Sequence, residues 1–329
     1  MSLSYPLASS LLIVGTALFL LTLTNRPASA QSTEALQARA AQLAQDALLV
    51  DGHIDLPYRL HDFYENPADS TVGGDFDYPR ARAGGLDAPF MAIYIPTDLQ
   101  DTPTAATDRA HTLIDLVEQI STKHPEAFAR ATSPADVRRI ATTDAVALPM
   151  GMENGAGLGG TLENVQRFYD RGIRYITLTH GKHNRIGDSS YDAAEPRWKG
   201  LSPFGTQVVA EMNRLGMMVD ISHVTDATAM DVLTQTEAPV IASHSSCRHF
   251  TPAWERNVSD AIIQGVAETG GVVMITFGSS FLRDEYQDQD DPIRSEMRAH
   301  IDSMGWDAGS RAAVVYEEEM RKANPIGTV

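Results

Sequence analysis

The sequence predicts an α/β fold of the TIM-type (β/α)8 barrel class, and three observations support this prediction. Short apolar segments alternate with amphipathic helical segments between about residues 48 and 277, as in a parallel sheet. The apolar segments are nearly continuous, so both faces of each strand should be covered. Polar residues follow nearly every predicted strand, whereas an open sheet binds ligands mainly at one switch point. A barrel is therefore favoured over an open doubly wound sheet.

Seven strands are predicted, one for each apolar segment. The first starts at Leu48 and leads into His53-Ile54-Asp55. The other six are predicted at residues 88–95, 145–152, 175–178, 217–221, 239–242 and 272–277. Pro96 closes the second strand, and Gly270-Gly271 precede the seventh, since proline and glycine punctuate regular structure.

Helices are predicted between the strands because amphipathic stripes begin and end at capping residues. Ser133-Pro134 and Ser202-Pro203 place a serine N-cap before a proline in the first turn. The predicted helices cover residues 31–47, 107–120, 162–170, 202–216, 225–236 and 259–268, with a short one from residue 133. Residues 58–83 keep no period and are predicted to be a long loop over the end of the first strand.

Composition limits the classes of partner. The 329 residues are 43% hydrophobic and 21% charged, with 26 basic and 43 acidic side chains and a formal charge of −17. This charge argues against nucleic acid or an anionic membrane surface as a partner. Cys247 is the only cysteine, so no internal disulfide can form. We find no dinucleotide-binding or phosphate-binding glycine motif.

The N-terminus resembles an export signal. Residues 7–23 are almost wholly apolar and uncharged, and Ala28-Ser29-Ala30 before Gln31 is a small-x-small cleavage pattern. We therefore predict a signal peptide at residues 1–30 and a catalytic domain at residues 31–329, placed in the periplasm or outside the cell. No basic residue precedes the apolar run, so an uncleaved membrane anchor is the alternative.

Metal-type side chains recur at the ends of the predicted strands. His53 and Asp55 should project side by side, because side chains two apart on a strand share a face. The full set is His53, Asp55, Glu153, His180, His223 and His244. One such motif is more often structural, but several at corresponding strand ends favour zinc. His53 and Asp55 could serve one ion, His223 and His244 a second, with Glu153 bridging them.

Longer motifs give a resemblance to a known family. They are Asp51-Gly52-His53-Ile54-Asp55-Leu56-Pro57, Leu178-Thr179-His180, Ser202-Pro203-Phe204-Gly205, residues 212–223, and Ser243-His244-Ser245-Ser246 through Arg256-Asn257-Val258. Together, across residues 48–277, they resemble the membrane (renal-type) dipeptidases. The resemblance implies a zinc-dependent barrel of the amidohydrolase type that hydrolyses dipeptides and often tolerates a D-residue at the C-terminal position.

The resemblance also implies roles for individual residues. By position, His53, Asp55, Glu153, His223 and His244 match the family's metal ligands for two zinc ions. His180 matches its transition-state histidine, and Arg256 matches the arginine that holds the substrate. We therefore expect Glu153 and His180 to be catalytic, with a metal-bridging hydroxide as the nucleophile.

Simple chemistry agrees with these roles. Arg256 could grip the free carboxylate of a dipeptide bidentately, the alternative being a solvated surface arginine. His180 could donate a hydrogen bond to the developing oxyanion. Ser245 and Ser246 lack a nucleophile-elbow motif and are interpreted as loop residues.

Other candidates are weaker. Cys247 and His249 would overfill a metal site, so structural roles are favoured. His183 either lines the pocket or faces solvent. The sequon Asn257-Val258-Ser259 lies beside the proposed site, which argues against a sugar there. An amidase or deacylase acting on another small amide, and an inactive metal-binding remnant, are the alternative functions, and the oligomeric state is left open.

The predicted barrel lacks one strand. Residues 281–291 are polar and residues 292–323 are helical in pattern, so no counterpart is found for the eighth strand and its aspartate that the resemblance implies. A seven-stranded barrel leaves the first and seventh strands with unpaired edges. We therefore expect the chain to be C-terminally truncated, prone to aggregation and weakly active alone, and a version with an eighth strand to be a competent dipeptidase.

Overall fold

A seven-stranded parallel sheet forms the centre of the protein. The computed structural model describes residues 32–307 and 310–326. Over these residues the strands are β1 (Leu49–Ile54), β2 (Leu86–Tyr94), β3 (Phe128–Arg130), β4 (Val146–Leu148), β5 (Met150–Glu153), β6 (Ile173–Thr177), β7 (Met218–Asp220), β8 (Val240–Ser245) and β9 (Val272–Ile275). The main sheet has the order β1-β2-β5-β6-β7-β8-β9, and all its pairings are parallel. Strands β3 and β4 pair separately.

Helices connect successive strands of this sheet, as expected for parallel pairing, and further helices precede β1 and follow β9. They are α1 (Thr33–Asp46), α2 (Leu56–Asp62), α3 (Tyr78–Gly84), α4 (Pro103–Lys123), α5 (Pro134–Ile140), α6 (Glu163–Asp170), α7 (Pro203–Leu215), α8 (Asp226–Gln235), α9 (Asp260–Glu268), α10 (Ser279–Leu282), α11 (Asp284–Met304) and α12 (Arg311–Ala323). The predicted serine caps are present, since Ser133 and Ser202 each accept a hydrogen bond from a backbone N–H in the first turn.

The sheet curls into a nearly closed barrel, and Gly52 makes the close approach of its ends possible. A methyl group at Gly52 of β1 would lie 2.2 Å from the carbonyl oxygen of Ser243 in β8 and 2.6 Å from Sδ of Met274 in β9. Any larger side chain would therefore push β1 away from β8 and β9. The predicted α/β barrel class is confirmed, with seven strands in the described part of the chain.

The core holds the carboxyl ends of the strands in place. Helix α4 buries one stripe of side chains spaced three or four apart, which includes Leu113, Ile114 and Val117. These pack in one cluster with Met91 and Ile93 of β2. Strand β2 pairs directly with β5, which ends in Glu153.

The strand predicted at residues 145–152 is in fact two strands. Pro149 separates β4 from β5, because proline has no N–H to donate to a sheet. Its carbonyl still accepts a hydrogen bond from Met91 N at 2.8 Å. Strand β4 turns away to pair with β3, which the sequence pattern did not predict.

The predicted loop at residues 58–83 also contains helical structure. Helix α2 has Pro57 in its first turn, and α3 starts at the N-cap Asp77, whose side chain accepts from Arg80 N. Only the stretch between these two helices lacks regular structure. At the other end of the chain, part of the polar segment at residues 281–291 lies in α11.

The two end strands each have one unpaired edge within the described residues. Strand β1 pairs with β2, and β9 pairs with β8. Apolar side chains near these edges are exposed, namely Val50, Val272, Ile275 and Phe277. Unpaired edges with exposed apolar side chains favour association between chains. The predicted tendency to aggregate stays a prediction.

Phe277→Lys is expected to reduce self-association, because Phe277 follows the edge strand β9 and is 82% exposed. Sedimentation velocity at increasing protein concentration would measure the effect. Met230→Lys, on α8 and away from both edges, is the matched control. Equal association of the two variants would contradict a role for the β9 edge.

The residues from Ala41 onward form one compact unit, which therefore begins within helix α1. Helix α1 has no buried residue. No helix within residues 32–307 and 310–326 has the length and apolar character needed to cross a membrane. The predicted signal peptide at residues 1–30 lies outside the described residues.

Candidate metal centre

Four histidines surround one buried carboxylate at the carboxyl end of the barrel. Glu153 Oε1 lies 3.1 Å from His223 Nε2, 3.2 Å from His244 Nε2 and 3.7 Å from His180 Nε2. Glu153 Oε2 lies 3.5 Å from His53 Nε2. The two nitrogens His223 Nε2 and His244 Nε2 are only 2.8 Å apart. Five of the six predicted strand-end residues therefore form one cluster.

The barrel topology explains this convergence, because the carboxyl ends of parallel strands meet at one face. Glu153 is the last residue of β5, and His53 and His244 lie near the ends of β1 and β8. His180 and His223 follow three residues after β6 and β7. His223 adopts φ = 68°, a left-handed conformation that is uncommon outside glycine and often marks a functional position.

Tyr175, in strand β6, orients the imidazole ring of His53. Its hydroxyl donates to Gly52 O at 2.9 Å and lies 3.2 Å from His53 Nδ1. The hydroxyl has one proton, so it accepts from Nδ1–H of His53, whose Nε2 then faces Glu153. The ring of Tyr175 occupies the space beside Gly151, where a methyl group would lie 2.0 Å from it.

Gly151→Ala is expected to destabilise the protein by about 1–3 kcal/mol, because it would overpack β5 against the Tyr175 ring. Urea denaturation would measure the loss. Gly84→Ala is the control, since a methyl group there meets nothing within 4 Å. Equal stability of the two alanine variants would refute the close packing of Gly151 on Tyr175.

Burial and mutual charge set the protonation of the cluster. Burial lowers the pKa of His223 well below its ordinary value, that of His244 to about 4, and that of His180. Burial is the largest effect on Glu153 and His53 and opposes the charge of each, but their mutual attraction and the hydrogen bonds around them together outweigh it. The pKa of Glu153 is thus held low and that of His53 high. Three imidazoles are therefore neutral at pH 7, which is the form that binds metals.

The donor set fits divalent metal ions. Ligand atoms of His53, Glu153 and His244 lie within 4.8 Å of one another, and so do those of Glu153, His180 and His223. Glu153 belongs to both groups. Imidazole nitrogens and carboxylate oxygens are typical ligands of zinc.

Arg256 is buried beside this cluster and is only 2% exposed. Its guanidinium donates to Ser245 Oγ and to the carbonyl oxygen of His244, both at 2.6 Å. Its Nε has no hydrogen-bond partner, and no carboxylate forms an ion pair with it among the described residues. The alternative of a solvated surface arginine is therefore wrong. A buried cation without a counter-ion is costly, which suits a group that binds an anionic ligand.

The cluster opens into a cavity of about 690 Å³, a size typical of small-molecule sites. Tyr58, Tyr94 and Tyr191 line it together with Phe281 and Arg256. Residues of α11 and α12 line it as well, namely Arg294, Val314, Glu317, Glu318 and Arg321.

Comparison with known proteins assigns the chain to a family. The family model described as membrane dipeptidase (peptidase family M19) matches residues 37–314. The chain belongs to this family. It is therefore a metallo-dipeptidase by family, and its centre of histidines and glutamate is able to bind metal.

Solved structures of similar proteins agree. The probable dipeptidase PvdM from Pseudomonas aeruginosa has a TM-score of 0.71 and 26% identity, over 81% of this chain and 70% of that one. A metallo peptidase from Rhodobacter sphaeroides, liganded with a phosphinate mimic of the dipeptide L-Ala-D-Ala, has a TM-score of 0.63 and 26% identity, over 72% of this chain and 75% of that one. A third structure, the dipeptidase AC of family M19, has a TM-score of 0.64 and 25% identity, over 84% of this chain and 90% of that one.

Asp55 is the predicted ligand of this dipeptidase that lies at the exposed margin of the cluster. Its Oδ1 is 3.4 Å from His53 Nε2, but its side chain is 60% exposed and belongs to neither close group. Strand β1 ends at Ile54, and Asp55 is the N-cap of α2 with φ −77° and ψ 25°. Asp55 is therefore not part of the strand, although its carboxylate still lies beside His53. The assignment of five ligands stays a prediction.

The weaker candidates of the dipeptidase prove to organise loops. Asn257 is fully buried and donates to Thr251 Oγ1 and Phe281 O, so a sugar could not reach its amide. Ser245 holds Arg256, as described above. His183 neither lines the cavity nor faces solvent: it is buried and accepts from Ser189 N through Nδ1.

Sequence reasoning missed the aromatic wall of the dipeptidase site and the contribution of α12. Tyr94 is the last residue of β2, and its hydroxyl lies 3.5 Å from His180 Nδ1. Its position at a strand end was the available signal. Tyr175, Tyr191 and the α12 residues carried no signal, because only tertiary packing brings them to the site.

Proposed function

We propose that this protein is an exported enzyme that binds two zinc ions and hydrolyses the peptide bond of free dipeptides. The choice of substrate rests on the buried guanidinium of Arg256, which has no carboxylate partner among the described residues and donates to the backbone of His244. A substrate carboxylate held there would lie next to the cluster. Only a short peptide can then place its scissile carbonyl at Glu153 and the histidines.

The roles of the residues follow from their geometry. Arg256 would bind the C-terminal carboxylate by charge-assisted hydrogen bonds. Glu153 has one oxygen facing three histidines and the other facing His53, so it could hold both ions together with these histidines. When bound, the ions would supply a water of lowered pKa as nucleophile and polarise the scissile carbonyl.

His180 is placed to stabilise the developing negative charge. Burial raises the pKa of Tyr94 above its ordinary value, so the hydroxyl keeps its proton. That proton can be donated towards His180 Nδ1, which leaves the Nε2–H of a neutral imidazole facing the cavity. A neutral donor aimed at the oxyanion stabilises the transition state without a charge that the free site would have to bury.

The name of the similar peptidase from Rhodobacter sphaeroides supports the choice of substrate, since that protein is liganded with a mimic of L-Ala-D-Ala. We propose that this enzyme also accepts a D-residue at the C-terminal position.

A substrate panel tests the proposed activity. The panel contains a dipeptide with an L- or D-residue at the C-terminus, the matching tripeptide and an N-acetyl amino acid. We expect kcat/KM on the dipeptide to exceed that on the tripeptide by at least about 100-fold, because the fixed carboxylate site rejects a longer chain. Preference for the N-acetyl amino acid would instead support an amidase or deacylase. Bound metal without turnover of any substrate would support an inactive remnant.

Export is a separate part of the proposal, supported by the apolar run at residues 7–23 and the small residues before Gln31. Mass spectrometry of the protein from fractionated cells should find an N-terminus at Gln31 in the exported fraction. An intact N-terminus in the membrane fraction would support the uncleaved anchor instead.

A further inference from the structure

Asp220 is a fully buried carboxylate behind the metal centre. It is the last residue of β7 and is 0% exposed. Its Oδ1 accepts from the backbone N–H of Ser222 at 3.1 Å and of Ser243 at 2.8 Å. Its Oδ2 accepts from the hydroxyls of Thr177 and Ser243, the latter at 2.6 Å. No cation forms an ion pair with Asp220 within the described residues.

These contacts lead directly to two histidines of the centre. Ser222 precedes His223, and Ser243 precedes His244, so Oδ1 fixes the backbone just before each histidine. Ser243 Oγ also lies 2.7 Å from His244 Nδ1. An ionised carboxylate only accepts hydrogen bonds, so the single proton of the Ser243 hydroxyl goes to Asp220. That hydroxyl must therefore accept from His244 Nδ1–H.

The direction of these two hydrogen bonds, from His244 to Ser243 and from Ser243 to Asp220, fixes the tautomer of His244. With the proton on Nδ1, the lone pair of His244 is on Nε2, which faces Glu153 at 3.2 Å. A metal-binding histidine commonly donates its other N–H to a fixed acceptor, which orients the ring and raises its basicity. Here the acceptor is a serine hydroxyl made more electron-rich by a buried carboxylate.

We propose that Asp220 and Ser243 are positioning residues of the metal centre, acting as a relay of hydrogen bonds from Asp220 through Ser243 to His244. The proposal rests on the proposed metal-dependent function and adds a determinant of metal affinity outside the ligands. If Asp220 served only to hold neighbouring strands together, the contact between Ser243 Oγ and His244 Nδ1 would not be needed.

Ser243→Ala tests the relay, because it removes one hydroxyl and leaves Asp220 with three of its four donors. Thr177→Val is the matched control, since it removes the other hydroxyl on Oδ2, and Thr177 has no hydrogen bond to a histidine among the described residues. Ser243→Thr keeps the hydroxyl and should rescue the loss. Zinc affinity of the metal-depleted protein is measured by competition with a chromophoric chelator, and thermal melting checks the fold of each variant.

We expect Ser243→Ala to weaken zinc binding by about 10- to 100-fold, as for other outer partners of metal-bound histidines. Thr177→Val and Ser243→Thr should stay within about 3-fold of wild type, well below that range. Equal losses in Ser243→Ala and Thr177→Val, or no loss in either, would overturn the relay while the wild-type protein still binds zinc. Failure of the wild-type protein itself to bind zinc would overturn both the relay and the proposed function.

Discussion

Glu153→Gln is expected to weaken the binding of both metal ions and to reduce dipeptide hydrolysis by more than about 100-fold. That loss exceeds the 10- to 100-fold typical of residues that only support a ligand. The physical reason is that both carboxylate oxygens face histidine nitrogens, at 3.1 to 3.7 Å. The amide of glutamine carries no negative charge. It also replaces one carboxylate oxygen with an NH₂ group, which cannot bind a metal ion alongside the histidine nitrogens.

Metal content by mass spectrometry and a competition titration would measure this effect. Glu163→Gln makes the same change at an exposed position in the first turn of α6, and should leave metal content and activity unchanged. Loss of one ion with full retention of the other would contradict a bridging role for Glu153.

Arg256→Lys is expected to reduce kcat/KM on dipeptides by about 30-fold or more, since disrupting a buried, hydrogen-bonded charge pair costs roughly 2 kcal/mol or more. Lysine keeps the charge but cannot reach Ser245 and His244 O while holding a carboxylate bidentately. The same variant should lose much less activity on a dipeptide with an amidated C-terminus.

Steady-state kinetics on the free and amidated substrate pair provide the comparison, and the zinc content of each variant verifies that the centre is intact. Arg256→Ala gives a second, larger change at the same position. Equal losses on both substrates would show that Arg256 does not recognise the carboxylate.

Much of the fold could be predicted from the sequence because the physical signals are local. Apolar segments and helix caps such as Ser202 are read directly from the chain. The cluster of Glu153 with His180, His223 and His244 followed from one further rule, that parallel strands end at the same face. Pro149 shows the limit of the apolar pattern, since it divides one predicted strand and sends β4 to another partner.

What the sequence could not show depends on contacts between distant residues. Tyr175 holds His53 across 122 positions, and Asp220 reaches Ser243 across 23. Tyr175 reads as an ordinary strand residue, and although Asp220 lies within the motif at residues 212–223, nothing in that motif shows which side chains it contacts. Asp55 shows a different limit: its carboxylate does lie beside His53, at 3.4 Å, but it does so as the N-cap of α2, after strand β1 has ended.

Dipeptide hydrolysis by one protein sample, before and after metal removal, tests the central claim most directly. The protein is depleted with a chelator, dialysed and titrated with zinc while turnover and bound metal are followed together. Our account predicts that turnover disappears in the depleted protein and returns with the zinc that binds, reaching its maximum at two ions per chain. Full turnover by the metal-free protein, or full recovery at one ion per chain, would contradict it.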